Sequence, residues 1–359
     1  MELRPFAAVL ARKGALEKHP DFTAIARDRF RQLLEEGCYT LQNRSAFYLL
    51  RLNRESESEQ LGFIGLLPSA AYEAGLILPH EATLVKGHKK QSRVLRNQRA
   101  MTKPVLLTYP QVDSLQLLLE KAVVDAEPLL QFEQYGFHFE YLRMLPHWEE
   151  ELLQAWQEAQ LQPIVADGHH RLASALAMSK DEEQPVLDFF PALLLPGVAL
   201  ELNTFFRLIS PAGDQSPAEL LDDLEAYFSI RTADTPFFPQ QSGEWALAIE
   251  GQFYRLNRRP VKALAEVVDP IWFNDYILPR QFNIHDSRED PRIFSREMGP
   301  KGPTFEHLAR KYTDHAIFAG YPISGTDFFN IVRQRQLLPP KSTCFYPRIP
   351  SGLLAYTWE

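Results

Sequence analysis

An α+β fold organised around a mixed sheet is predicted from three observations. Apolar residues recur at helical spacing in several segments, and short aromatic or aliphatic runs of strand length lie between them. One such run stops at an Asp-Gly turn that opens an alanine-rich helix. No internal repeat or low-complexity tract breaks the pattern, and 359 residues exceed what one core usually holds. Three segments are therefore expected: an N-terminal α+β part over 1–75, a core over 76–210 and a C-terminal α+β part over 211–359.

The elements follow in chain order. Phe22, Ile25, Ala26, Phe30, Leu33 and Leu34 share one helical face between Asp21 and Glu36, and Gly37 reads as the C-cap. Ala46 to Asn53 and Leu61 to Leu67 flank a polar stretch and read as a hairpin. A basic helix over Gly87 to Met101, carrying Lys89, Lys90, Arg93, Arg96 and Arg99, precedes a strand from Lys103 to Thr108. Helical periodicity returns over 115–124 and 148–161, with a strand-like run over 137–145 between them. Pro163 to Ala166 is the next strand, followed by a helix to about Met178, an apolar stretch over 191–195 and a strand over 200–209. A Pro/Ser turn over 210–217 suggests a boundary. Beyond it come a helix over 218–227 and alternating strands over 245–249 and 252–256, and the last hundred residues are rich in Pro, Phe and charge.

Composition removes several classes of function. An apolar content of 45% with 23% charged residues suits a packed globular chain and not a disordered one. A net charge of -8 argues against nucleic acid held by general electrostatics, while leaving room for a local basic pocket. Cys38 and Cys344 lie at no metal-ligand spacing and suggest no disulfide framework, so a reduced, cytoplasmic protein is expected. The first residues lack a signal-like apolar stretch, and no apolar run approaches the ~20 residues that span a bilayer. No membrane partner is expected, and the oligomeric state is open.

The chemistry concentrates in Pro163-Ile-Val-Ala-Asp167-Gly168-His169-His170-Arg171. A helix start leaves N–H groups without intrahelical partners and carries partial positive charge, which favours an anion. Gly168 lets backbone approach a ligand, Arg171 offers a bidentate phosphate clamp, and His169 and His170 add donors of adjustable protonation. The bland alternative makes Asp167 a plain N-cap and Gly168 a turn residue. Zinc at the His pair is the weaker reading, because neighbouring residues at a helix start diverge and no third ligand sits at standard spacing.

Two further constellations are candidates. His80-Glu81-Ala82-Thr83 places a carboxylate beside an imidazole upstream of the cationic run, which would suit a general base near a phosphate, but on the residues alone a Glu81 that caps or salts a helix and a solvated basic face are the favoured reading. Lys341-Ser342-Thr343, continuing to Arg348, offers phosphate donors amid prolines and aromatics that also suit a packed terminal strand.

Taken in order, His80 to Thr83, Lys86 to Arg99, Lys103-Pro104-Val105, Ala166 to Leu172 and Lys341-Ser342-Thr343 resemble a bacterial and archaeal domain-of-unknown-function family carrying an Asp-Gly-His-His-Arg motif. That family is related to the ParB/sulfiredoxin superfamily and to free-serine kinases. The resemblance implies a ParB/sulfiredoxin-like core with inserted and C-terminal α+β elements. It also implies a catalytic Glu81 beside His80, and nucleotide phosphates at Asp167, Gly168, His169, His170 and Arg171, with Lys341, Ser342 and Thr343 returning toward them. The sequence departs from the pattern in three ways: 86 positions separate Glu81 from Asp167, a Pro-Pro-Tyr-Asp motif is not evident near Arg4-Pro5-Phe6, and the turn lacks the sulfiredoxin cysteine. Sulfinic-acid reduction is thereby excluded as an analogy.

The function these readings support is phosphoryl transfer from ATP or ADP, with Mg²⁺, to a small hydroxylated metabolite such as serine. A non-catalytic nucleotide-binding regulator and a phosphohydrolase are the alternatives.

Overall fold

The computed structural model describes residues 1–54, 59–81, 85–180, 187–211, 215–260, 267–300 and 302–358, with side chains between 85 and 90 left aside. The protein is a mixed α+β chain that divides into two compact units, 1–200 with 347–359, and 201–346.

The first unit is built on a seven-stranded sheet. From one edge to the other its strands are Glu127–Gln134, Phe137–Arg143, Tyr48–Arg54, Gln60–Pro68, Phe189–Pro196, Val105–Tyr109 and Ile164–Asp167. Phe189–Pro196 runs parallel to Val105–Tyr109, and the other neighbouring pairs are antiparallel, which makes the sheet mixed. Helices Asp113–Asp125, Pro146–Ala159 and His169–Ser179 contribute Leu115, Leu119, Leu152, Trp156, Leu172 and Ala175 to the same core as Val105, Leu107 and Val165. Each fully buried leucine or valine side chain there stabilises the unit by ~1.5–3 kcal/mol. A second sheet orders Tyr39–Leu41, Val9–Ala11, Leu354–Thr357 and Ala100–Met101, so it draws on both ends of the chain.

Most of the expected elements are present in this unit. The amphipathic helix spans Phe22–Glu35, and Gly37 takes φ +73° in the turn that ends it. The expected hairpin is formed, with Leu49 opposite Phe63. The sequence reading passes over strand Glu127–Gln134, because only Leu130 among its residues is buried and its Glu and Gln content gives no strand signal. The single strand expected over 200–209 is instead two, Glu201–Asn203 and Phe205–Ile209, which belong to different sheets.

The second unit holds a six-stranded antiparallel sheet ordered Phe228–Ala233, Gln252–Arg258, Glu244–Ile249, Ala316–Gly320, Phe205–Ile209 and Ile293–Glu297. Trp245, Leu247, Phe318, Trp272 and Phe273 pack into one of its cores. Helix Pro217–Leu224 starts at a capping box, with the Ser216 hydroxyl accepting from the Glu219 N–H. Among the described residues no helix is long and apolar enough to cross a membrane.

Candidate functional site

Strand Ile164–Asp167 lies at the sheet edge and ends at the Asp-Gly turn. Its pairing with Val105–Tyr109 slips: Leu107 faces Val165 while Leu106 faces Asp167, so Ala166 is the extra residue of a bulge. Bulges bend a strand and redirect the side chains that follow. On the other flank Leu78 forms a parallel bridge to Ile164: its carbonyl accepts from the Val165 N–H at 2.9 Å, and its own N–H donates to the Pro163 carbonyl at 2.9 Å. Those bonds carry His80, two residues later, to the turn.

Gly168 takes φ +108°, a conformation L side chains avoid, and helix His169–Ser179 follows directly. Asp167 Oδ2 lies 2.7 Å from Lys103 Nζ and 3.0 Å from Arg171 Nη2. Arg171 Nη1 donates to the Lys103 and Pro104 carbonyls, both at 2.8 Å. Burial opposes the Asp167 charge, but the fields of Lys103, Arg171 and Arg348 overcome it and hold the carboxyl far below the usual carboxylate range. The Arg171 bonds fasten the turn to the residues that lead into strand Val105–Tyr109.

His80 and His169 are buried, and their rings meet edge to face with centroids 4.5 Å apart. His80 Nδ1 lies 2.5 Å from the Val165 carbonyl, so that nitrogen carries the proton and donates. The His80 backbone N–H donates to His169 Nε2 at 3.4 Å, which makes that nitrogen an acceptor. Burial pushes both imidazoles down, His169 well below the ordinary value of 6.5, with the neighbouring His80 ring adding to the effect. Both rings are neutral at pH 7.

Glu81 is half-buried, and one of its carboxylate oxygens falls within 4.8 Å of ring nitrogens of both His80 and His169. His169 Nε2 already accepts from the His80 N–H, so its neutral ring carries the proton on Nδ1 and offers a divalent cation no lone pair while that bond holds. Beside the turn, a cavity of about 210 Å³ is lined by Arg27, Thr102, Lys103, Asp167, Arg171 and Ser351. Drug-sized ligands usually occupy ~300–1,000 Å³, so this space suits a phosphate group better than a whole nucleotide. A larger depression of about 820 Å³, lined by residues such as Phe6, Phe30, Phe189 and Trp358, shares none of these polar groups.

The structure therefore brings together His80, Glu81, Asp167, Gly168, His169 and Arg171. His170 is half-buried on the same helix start. Arg93, Arg96 and Arg99 are exposed, as on a solvated face, while Ala82 and Thr83 and the side chains of Lys86, Lys89 and Lys90 lie outside the described residues. Lys341, Ser342 and Thr343 belong to the second unit, where the Ser342 hydroxyl donates to the Pro339 carbonyl at 2.6 Å and Lys341 Nζ sits 5.4 Å from the Phe205 ring centroid. Sequence reasoning left Lys103 off the site, although a lysine preceding Pro104 at the head of a strand was its one available signal. Arg27 gave no signal, and Arg348 stood out only as the end of the donor run that starts at Lys341; the fold brings Arg27 to the cavity and the Arg348 charge to Asp167.

A family model described as a protein of unknown function, DUF1015, matches residues 9–275. The chain belongs to that family. No curated protein matches this DUF1015 chain. Among solved structures it is similar to C-terminally truncated SbnI from Staphylococcus aureus, at 12% identity and a TM-score of 0.44, over 80% of this chain and 85% of that one. It is also similar to a free serine kinase in complex with AMP, at 13% identity and a TM-score of 0.40, over 82% and 90% of the two chains. A conserved hypothetical protein from Pyrococcus furiosus gives 13% identity and a TM-score of 0.39, over 80% and 92%.

Proposed function

We propose that this chain binds ATP or ADP at the Asp167–Arg171 turn and transfers a phosphoryl group to a small hydroxylated metabolite, with Glu81 as the base. One observation carries the reading. Glu81 and Asp167 stand 86 positions apart in sequence, yet the Leu78 bridge and the His80–His169 contact place the two motifs side by side. A carboxylate and a cationic turn in one place are the two parts that phosphoryl transfer needs most, because it depends on positioning and electrostatics.

In the step itself the acceptor hydroxyl oxygen forms a bond to the terminal phosphorus. The bond from that phosphorus to the nucleotide breaks, the leaving diphosphate or monophosphate takes the electron pair, and the hydroxyl proton passes to Glu81. The buried, neutral His80 holds its backbone position through Val165 and so aligns Glu81. Lys103 and Arg171 supply positive charge at the cavity, and the partial positive charge of the helix start adds to it. Magnesium takes oxygen ligands, commonly one or two carboxylates with phosphate oxygens, so Asp167 and Glu81 fit it. When bound with the nucleotide it would neutralise charge on the phosphoryl oxygens. The wider kinship to ParB/sulfiredoxin-like proteins is part of this proposal, as are serine as acceptor, a cytoplasmic location, and the participation of His170, Lys341, Ser342 and Thr343.

A second reading, a nucleotide-binding regulator without chemistry, is favoured by the way Asp167, Lys103 and Arg171 satisfy one another. Isothermal titration with ATP, ADP, CTP and pyrophosphate plus Mg²⁺, followed by an acceptor screen starting with serine, tests both. Micromolar binding with acceptor-dependent turnover supports the kinase, saturable binding without turnover supports the regulator, and steady phosphate release without acceptor means a hydrolase. Absence of binding removes all three.

A further inference from the structure

A second constellation lies at the ends of two N-terminal helices, within the first unit. His19 is the C-cap of helix Lys13–Lys18, and Glu36 is the C-cap of helix Phe22–Glu35. Gly37, at φ +73°, then turns the chain so that Cys38 follows Glu36 on the far side of the bend. Ligating atoms of His19, Glu36 and Cys38 all fall within 4.8 Å of one another. The side chains come from positions 19, 36 and 38, which match no linear metal motif, so sequence spacing conceals them.

The backbone at each position is pinned. The His19 N–H donates to the Ala15 carbonyl at 3.0 Å and the Glu36 N–H to Gln32 at 2.9 Å. The Cys38 N–H donates to Leu33 at 2.9 Å, and its carbonyl accepts from the Arg12 N–H at 2.9 Å. Glu36 is further oriented by Gln32, whose Nε2 donates to its Oε1 at 2.8 Å. Such outer contacts are the kind that hold metal ligands in register.

The second observation is a polar atom that nothing in the protein serves. His19 Nε2 is buried with no hydrogen-bond partner among the described residues. Buried polar atoms are nearly always satisfied, so an orphaned imidazole nitrogen beside a buried thiol points to a missing ligand. The Cys38 thiol is buried and free. Cys344, by contrast, directs its Sγ to the Thr204 and Met298 carbonyls, at 3.4 and 3.5 Å.

We propose that His19, Glu36 and Cys38 form a binding site for a thiophilic divalent cation of the zinc type. Sulfur, imidazole nitrogen and carboxylate oxygen are the donors such ions prefer, and a tetrahedral ion spaces its ligands ~3.3–3.8 Å apart, a range that falls inside the 4.8 Å within which these atoms lie. Thiolate and carboxylate together balance the charge of the ion. Glu36 is exposed, so the fourth position opens to solvent. The ion ties the ends of both helices to the strand that begins at Tyr39.

The test uses the full chain and two probes, Zn²⁺ in competition with a chromogenic chelator and Co²⁺ followed by absorbance. We expect about one equivalent of Zn²⁺ held at this site with micromolar or tighter affinity. Co²⁺ should give a near-ultraviolet thiolate charge-transfer band together with visible bands of four-coordinate strength. Cys38→Ser should abolish the charge-transfer band, His19→Gln and Glu36→Gln should each weaken Zn²⁺ binding tenfold or more, and Cys344→Ser should change neither readout. The Co²⁺ spectrum of the unaltered chain decides the matter even where a variant fails to fold. A cation held at His80, Glu81 and His169 gives no thiolate band, so binding without that band overturns the proposal, as does a band that survives Cys38→Ser.

Discussion

The backbone N–H of His80 donates to the Nε2 of His169 across 3.4 Å, joining two motifs that lie 89 residues apart. Because that nitrogen accepts, the His169 ring is neutral, and burial holds the His80 ring neutral while its Nδ1 donates to Val165.

Acid should therefore weaken the first unit. The folded imidazoles sit below the ordinary 6.5, so the unfolded chain takes up protons first as pH falls. Their contribution is complete above about pH 6.5 and is lost as pH drops toward the folded values. Denaturant unfolding between pH 7.5 and 5 should show this loss, reduced in His169→Gln. Equal acid sensitivity in that variant would mean that His169 is not held neutral.

The carboxyl of Asp269, in the second unit, should act with the opposite sign. Burial raises it from 3.8 to about 6, against the Gly243 N–H and Arg258. A raised folded value means stability that is full below about pH 4 and lost as pH climbs through 6. A rise of that size corresponds to about 3 kcal/mol. Asp269→Asn should gain on the unaltered chain by roughly that amount between pH 4 and pH 8, and a stability difference constant with pH would refute the assignment.

Removing the Asp167 charge should be costly. Asp167→Ala leaves Lys103 and Arg171, with side chains 18% and 12% exposed, facing each other without their shared anion. Breaking a buried pair from one side costs ~3–5 kcal/mol. A loss under about 1 kcal/mol in urea unfolding would show that the cations find other partners, within the range of surface ion pairs.

Gly168→Ala tests the turn. An added Cβ would meet Arg171 Nη2 at 2.8 Å, and the guanidinium cannot retreat without leaving the Lys103 and Pro104 carbonyls. Together with the φ of +108° this should cost ~1–3 kcal/mol and weaken nucleotide binding. Unchanged melting and binding would mean that the turn relaxes freely.

Glu81→Gln should abolish turnover while preserving nucleotide affinity, as expected when a base loses its proton-accepting oxygen but keeps its shape. Loss of nucleotide binding as well would make Glu81 a binding residue.

The sequence by itself determined the α+β class, the amphipathic helix ending at Gly37, the hairpin around Leu49 and Phe63, and the strand-turn-helix at Asp167. These depend on local periodicity and turn chemistry, which neighbouring residues carry. Only the tertiary structure decided that His80 reaches His169, that Lys103 and Arg171 share Asp167, and that His19 and Cys38 converge. Each of those meetings depends on strand order, on the bulge at Ala166 or on a helix end, and so on long-range packing that no window of sequence contains.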